Sequence, residues 1–147
     1  MEKIEFDKTI EAGKIAQKVV AFAREMIKPE MKLIDIANKI DDLIEKLGAK
    51  PAFPVNLSVD EIAAHATPAF NDEELARGLL KVDIGVQIDG YVADTAFSLD
   101  LEKLEENQKL IEAAEAGLKV SLETFKIGAK LGEIGENIQN AVKEKGF

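Results

Sequence analysis

A chain of 147 residues has room for one domain with a sizeable core and little room for two. Its 46% apolar and 32% charged residues place it among soluble globular proteins, and no apolar run nears the roughly 20 residues that span a bilayer. A formal charge of −9 disfavours nucleic acid as a partner, and the absence of cysteine excludes disulfides, thiol nucleophiles and thiolate-bound zinc. Any bound metal must therefore use carboxylate, imidazole, carbonyl or water. The opening MEKIEFDKTI lacks the apolar segment of a secretory signal, so a cytoplasmic protein with no membrane partner is expected.

Apolar residues at helical spacing (Ile10, Ala16, Val19, Val20, Ala23, Met26, Ile27) predict a helix from about Thr9 to Ile27, stopped by Lys28-Pro29. A second helix is predicted from Leu33 to Leu47, with Ile36, Ala37, Ile40, Leu43, Ile44 and Leu47 on one face and Gly48 as a left-handed cap. The extended stretch Phe53–Val59 reads as a strand with an irregular continuation. LLKVDIGVQIDGYVADTAFSLDL holds two β-rich runs about Asp89-Gly90, the dipeptide suited to a two-residue type I′ hairpin turn. Helical periodicity returns from about Glu105 to Phe125 (Leu110, Ile111, Ala114, Leu118, Leu122, Phe125) and from Leu131 to Lys145. The order is two helices, strands, two helices.

Residues 28–48 and 126–146 align without a gap at an offset of 98, with Lys28/Lys126, Lys32/Lys130, Leu33/Leu131, Ile36/Ile134, Ile40/Ile138 and Gly48/Gly146 identical. Chance similarity between two amphipathic helices is one explanation; duplication of a unit is the favoured one. On that reading the chain is a single domain, residues 1–147, in which 1–101 form a first αβ repeat and 102–147 the helical part of a truncated second.

A two-residue turn at 89–90 sets every cross-strand pair of the hairpin. One face collects Val82, Ile84, Val86, Ile88, Tyr91, Ala93, Thr95, Phe97 and Leu99 and should pack on the helices; the other carries Asp83, Gly85, Gln87, Val92, Asp94, Ala96 and Ser98. Asp83 then lies opposite Ala96 and Asp94 opposite Gly85, diagonal neighbours with Cα atoms roughly 7–8 Å apart. Two like charges this close in mid-strand repel unless a cation lies between them, and the spacing suits a pair of divalent ions roughly 3.5–4 Å apart. Two solvated aspartates on an exposed face are the competing reading. Gly85 and Ala96, expected to leave open space opposite each aspartate, favour the metal.

PAFPVNLSVDEIAAHATP (Pro51 to Pro68), KVDIGVQIDGYVADTAF (Lys81 to Phe97) and the turn IKPEMKL closely resemble the type II methionine aminopeptidases of archaea and eukaryotes, and the likeness extends over essentially the whole chain. The resemblance implies an α+β fold, half of the pita-bread arrangement, with helices packed on one face of an antiparallel sheet. It implies that Asp83 and Asp94 are metal ligands, that His65 assists the reaction by hydrogen bonding near the scissile peptide, and that Phe53 lines the methionine pocket. Two divalent ions per complete site are implied, with cobalt, manganese, iron and zinc all open. The family's remaining histidine and two glutamate ligands come from its second repeat; Glu112, Glu115, Glu133 and Glu136 are more simply read as solvated helix faces. Glu30 stands where the family usually has glycine, and Gln87 where it often has histidine.

The leading expectation is removal of N-terminal methionine from peptides or nascent chains, with this chain supplying half of a dinuclear site and a complementary C-terminal half supplying the rest. The alternative is an inactive half-domain that pairs with a second copy of itself as a homodimeric scaffold. A third reading, a catalytically silent relative that binds proteins, is disfavoured by retention of both Asp83 and Asp94.

Overall fold

The computed structural model describes residues 3–147, in two compact units: residues up to Glu102, and Lys103–Phe147. The first unit opens with helix α1 (Lys3–Met26), which begins six residues earlier than its apolar periodicity suggested. It buries Ala12, Ile15, Ala16, Val19 and Ala23, whereas Ile10 is exposed. Pro29 ends it, because the residue before a proline is sterically disfavoured in helical conformation. Helix α2 (Leu33–Lys46) buries Leu33, Ile36, Ala37, Ile40 and Ile44 along one stripe. It closes on Gly48 (φ 85°), with the Ala49 N–H donating to the Ile44 carbonyl at 3.2 Å and the Gly48 N–H to the Glu45 carbonyl at 3.0 Å. That pair of bonds is a Schellman cap.

Four antiparallel strands follow: β1 (Lys50–Pro51), β2 (Asn56–Val59), β3 (Leu79–Ile88) and β4 (Tyr91–Asp100). β4 pairs with β3 along its whole length, while β1 and β2 lie end to end along the opposite edge of β3, facing 86–87 and 80–83. The strand expected over 53–59 is thus shorter, starting at Asn56. Pro54 has no N–H to donate to a ladder, and the chain instead leaves β1 through a bond from the Ala52 N–H to the Gly85 carbonyl, 2.9 Å. The apolar sheet face (Val82, Ile84, Val86, Phe97) is buried, with Ile88, Ala93 and Leu99 packed at its margin, and joins the α1 and α2 stripes in one core. Within this unit, α1 and α2 therefore pack on one face of the sheet.

In the second unit, helices α3 (Glu105–Thr124) and α4 (Leu131–Glu144) pack on each other. Of the apolar residues that mark the periodicity of α3, Leu110, Leu118 and Leu122 are exposed, and Ala113 and Gly117 are buried. The reason is close approach. A Cβ built on Gly117 would stand 3.3 Å from side-chain carbons of Ile138 and Val142, so α4 sits against the small-residue face of α3.

α4 repeats α2 in local detail. Its bounds are those of α2 shifted by 98 residues, and it too ends in a Schellman cap: Gly146 has φ 92°, with Phe147 N–H to Val142 carbonyl at 3.4 Å and Gly146 N–H to Lys143 carbonyl at 2.9 Å. The turns before the helices correspond as well. Glu30 lies at φ 67° and its counterpart Gly128 at φ 88°, both left-handed. Among the described residues, no helix is long and apolar enough to cross a membrane.

Candidate metal centre

The sheet face opposite α1 and α2 is built by the hairpin. Asp89 (φ 50°) and Gly90 (φ 88°) are both left-handed, as a type I′ turn requires, and the Gly90 N–H donates to Gln87 Oε1 at 2.9 Å. The Lys8 ammonium adds a 2.7 Å ion pair to Asp89. The register follows from this turn: Ile88 pairs with Tyr91, Gly85 with Asp94 and Asp83 with Ala96, as the sequence led one to expect. Asp83 and Asp94 are therefore diagonal neighbours on the face opposite α1 and α2.

Their carboxyl groups influence each other. Asp83 is half-buried and titrates above the ordinary carboxylate range, first because burial penalises its charge, then because of the Asp94 charge and a hydrogen bond shared with Asp94. Two groups oppose the rise: the charge of His65 and a hydrogen bond from the Asn56 side chain. Asn56 lies directly across from Asp83 on β2, so Asn56, Asp83 and Ala96 form one row across the sheet.

Of the other expected site residues, Phe53 lies on the same face, with one correction. The position opposite Asp94 is not open space. The Phe53 ring fills it, lying so close that a Cβ on Gly85 would stand 2.4 Å from Phe53 Cε1. Glycine is needed there because nothing larger fits beneath the ring. His65 sits in the irregular segment after β2, exposed, with left-handed backbone (φ 64°) and within electrostatic reach of Asp83.

That segment is strapped to β2. The Leu57 N–H donates to the Ala66 carbonyl at 2.7 Å, the Ala66 N–H to the buried Ser58 hydroxyl at 3.4 Å, and the Thr67 hydroxyl to Asn56 Oδ1 at 2.9 Å. Asn56 and Thr67 did not stand out in the sequence; only the β2–β3 register, which carries no turn signal of its own, puts them beside Asp83.

Two carboxylates on diagonal positions of one sheet face are hard oxygen donors that suit a divalent cation, which would relieve their repulsion. They fall short of a full set: among the described residues no group of three or more His, Asp or Glu side chains could hold a metal. Glu112, Glu115, Glu133 and Glu136 belong to the second unit and are exposed.

Comparison with known proteins gives this geometry its context. Residues 7–147 match the description Metallopeptidase family M24. The chain belongs to that family. It is 46% identical to a methionine aminopeptidase of Methanothermus fervidus, over 96% of this chain and 82% of the relative, and 45% identical to a methionine aminopeptidase of Pyrococcus abyssi, over 98% of this chain and 49% of the relative. Among solved structures, the methionine aminopeptidase from Thermotoga maritima superimposes with a TM-score of 0.91 at 25% identity, covering 99% of this chain and 62% of that one. The α+β fold is thus that of the M24 pita-bread enzymes, of which the chain spans about half the length in the Pyrococcus relative. Divalent metal belongs to the family as a class.

Proposed function

We propose that this chain supplies the first αβ repeat of a metal-dependent aminopeptidase that removes methionine from peptide N-termini, with Asp83 and Asp94 as two of the metal ligands. One observation carries the reading: a fixed register makes Asp83 and Asp94 diagonal neighbours on the sheet face opposite the helices α1 and α2, where the Asp94 charge adds to the burial that disfavours ionisation of Asp83. Such an arrangement destabilises a metal-free sheet and becomes favourable once a cation lies between the oxygens. Divalent ions held there would lower the pKa of bound water and polarise a peptide carbonyl.

The remaining roles belong to this chain's own side chains. Phe53, with its ring across Gly85 and beside Asp94, offers an apolar wall for a methionine side chain. His65, exposed on a segment pinned to β2 and within electrostatic reach of Asp83, would hydrogen-bond the peptide being cut. The other ligands come from a complementary segment, the part of the longer relatives that this chain does not span. Lys103–Phe147 is the helical part of that second repeat, and the matched α2/α4 bounds, caps and turns support it.

The test is complementation. The chain is mixed with the remaining segment of the Pyrococcus relative and cobalt or manganese, and methionine release from a Met-initiated peptide is followed. Release that needs both segments and is lost in Asp83→Asn supports the proposal. A stable complex of the two that binds metal but releases no methionine contradicts it.

A further inference from the structure

Beside the paired aspartates stand two polar side chains with no part in the proposal above. Asn56 sits in register with Asp83, and its amide can donate only through its NH2 end and accept only through its carbonyl. The Thr67 hydroxyl donates to that carbonyl at 2.9 Å. With Oδ1 so engaged, the NH2 end is left to donate, and the β2–β3 register puts Asn56 directly across from Asp83. Thr67 is itself held in place, because the preceding residue, Ala66, is fixed to β2 through Leu57 and the buried Ser58. The row thus runs from Thr67 to Asn56 by a hydrogen bond, from Asn56 to Asp83 by register, and on to Asp94 as the diagonal neighbour of Asp83.

We propose that Thr67 and Asn56 are positioning residues that fix the plane of the Asp83 carboxylate for a divalent cation. This rests on the reading of Asp83 and Asp94 as cation ligands. A carboxylate turns about its last torsion with little resistance, and a ligand left free to turn loses that freedom on binding. An N–H donated from the neighbouring strand occupies one lone pair and aims the rest at the space shared with Asp94. Partners of this kind behind a metal-binding carboxylate are typically worth about 10–100-fold in metal affinity. The hydroxyl of Thr67 is exposed and its loss creates no core cavity, so the effect on binding separates from any effect on folding.

Mn2+ binding is read from the loss of the free-ion electron paramagnetic resonance signal, in parallel with the metal-free thermal midpoint, for the wild-type chain, Thr67→Val, Thr67→Ser and Asn56→Leu. Thr67→Val, nearly isosteric but unable to donate, should weaken Mn2+ binding by about 10-fold with the midpoint unchanged. Asn56→Leu should weaken it at least as much, and Thr67→Ser should restore it. Wild-type affinity in Thr67→Val, or failure of serine to rescue it, overturns the positioning role while leaving the metal site standing. Absence of Mn2+ binding by the wild-type chain overturns both.

Discussion

Glu30 offers a test of how the backbone stores strain at the entry to α2. Its φ of 67° is left-handed, a region that costs an L-residue with a Cβ roughly 1–2 kcal/mol and glycine almost nothing. The conformation is imposed by the surroundings: the Glu30 N–H donates to the Ala76 carbonyl at 2.9 Å, and the Ala76 N–H to the Met31 carbonyl at 2.8 Å, so the turn cannot relax without breaking both. Glu30→Gly removes the strain but loosens the unfolded chain by about 0.4–1 kcal/mol. The net gain should be about 0.5–1 kcal/mol, which is roughly 2–3 °C in thermal midpoint for a chain of this size. Thermal and urea denaturation of wild type, Glu30→Gly and Glu30→Ala decide it. Alanine deletes the same exposed carboxylate but keeps the Cβ, so it should give no gain. An unchanged or lower midpoint for glycine, or an equal rise for alanine, would refute the strain argument.

Other consequences can be read in the same way. Gly85→Ala places a methyl group where the Phe53 ring now lies; a loss of about 1–3 kcal/mol in urea denaturation is expected, with Phe53 displaced in a structure of the variant. Asp41, on α2, has a buried Oδ1 without a hydrogen-bond partner, and burial followed by the Glu45 and Asp42 charges raises its pKa. A carboxyl raised on folding holds its proton more tightly in the native state, so its contribution is present below the ordinary carboxylate pKa and is lost as pH rises through the folded value. Asp41→Asn should therefore stabilise the protein at pH 7, with the advantage over wild type vanishing near pH 3.5–4; an advantage that persists in acid would contradict this. His65→Asn, which keeps a residue tolerant of the left-handed region, should leave the thermal midpoint within about 0.5 kcal/mol of wild type, whereas a β-branched His65→Val should lower it.

The sequence carried the hairpin well because local chemistry decides it. Asp89-Gly90 dictates the turn, the turn dictates the pairing, and the alternation of apolar residues from Val82 to Ile88 leaves only one face for the core. The start of α2 and the cap at Gly48 were legible for the same reason. What was hidden depends on contacts distant in sequence. The Phe53 ring over Gly85 joins residues 32 positions apart, so the glycine read as open space although it is filled. Asn56 and Thr67 reach Asp83 only through the β2–β3 register and the strap at Leu57 and Ser58. On α3 the periodicity of Leu110, Leu118 and Leu122 was real, but α4 packs against the smaller residues Ala113 and Gly117, and periodicity cannot say which of two faces a neighbour will choose.

The claim on which the functional account turns is that the Asp83–Asp94 pair exists to hold a cation. Like charges about 4 Å apart near a protein surface repel by roughly 1–4 kcal/mol, so a metal-free sheet is better off without them. Calorimetric titration with Mn2+, paired with metal-free urea denaturation, compares the wild-type chain with the Asp83→Asn, Asp94→Asn double variant. The wild-type chain should bind Mn2+, and the double variant should not bind yet be at least as stable without metal. Equal Mn2+ binding by both chains, or a double variant that unfolds more readily, would contradict it.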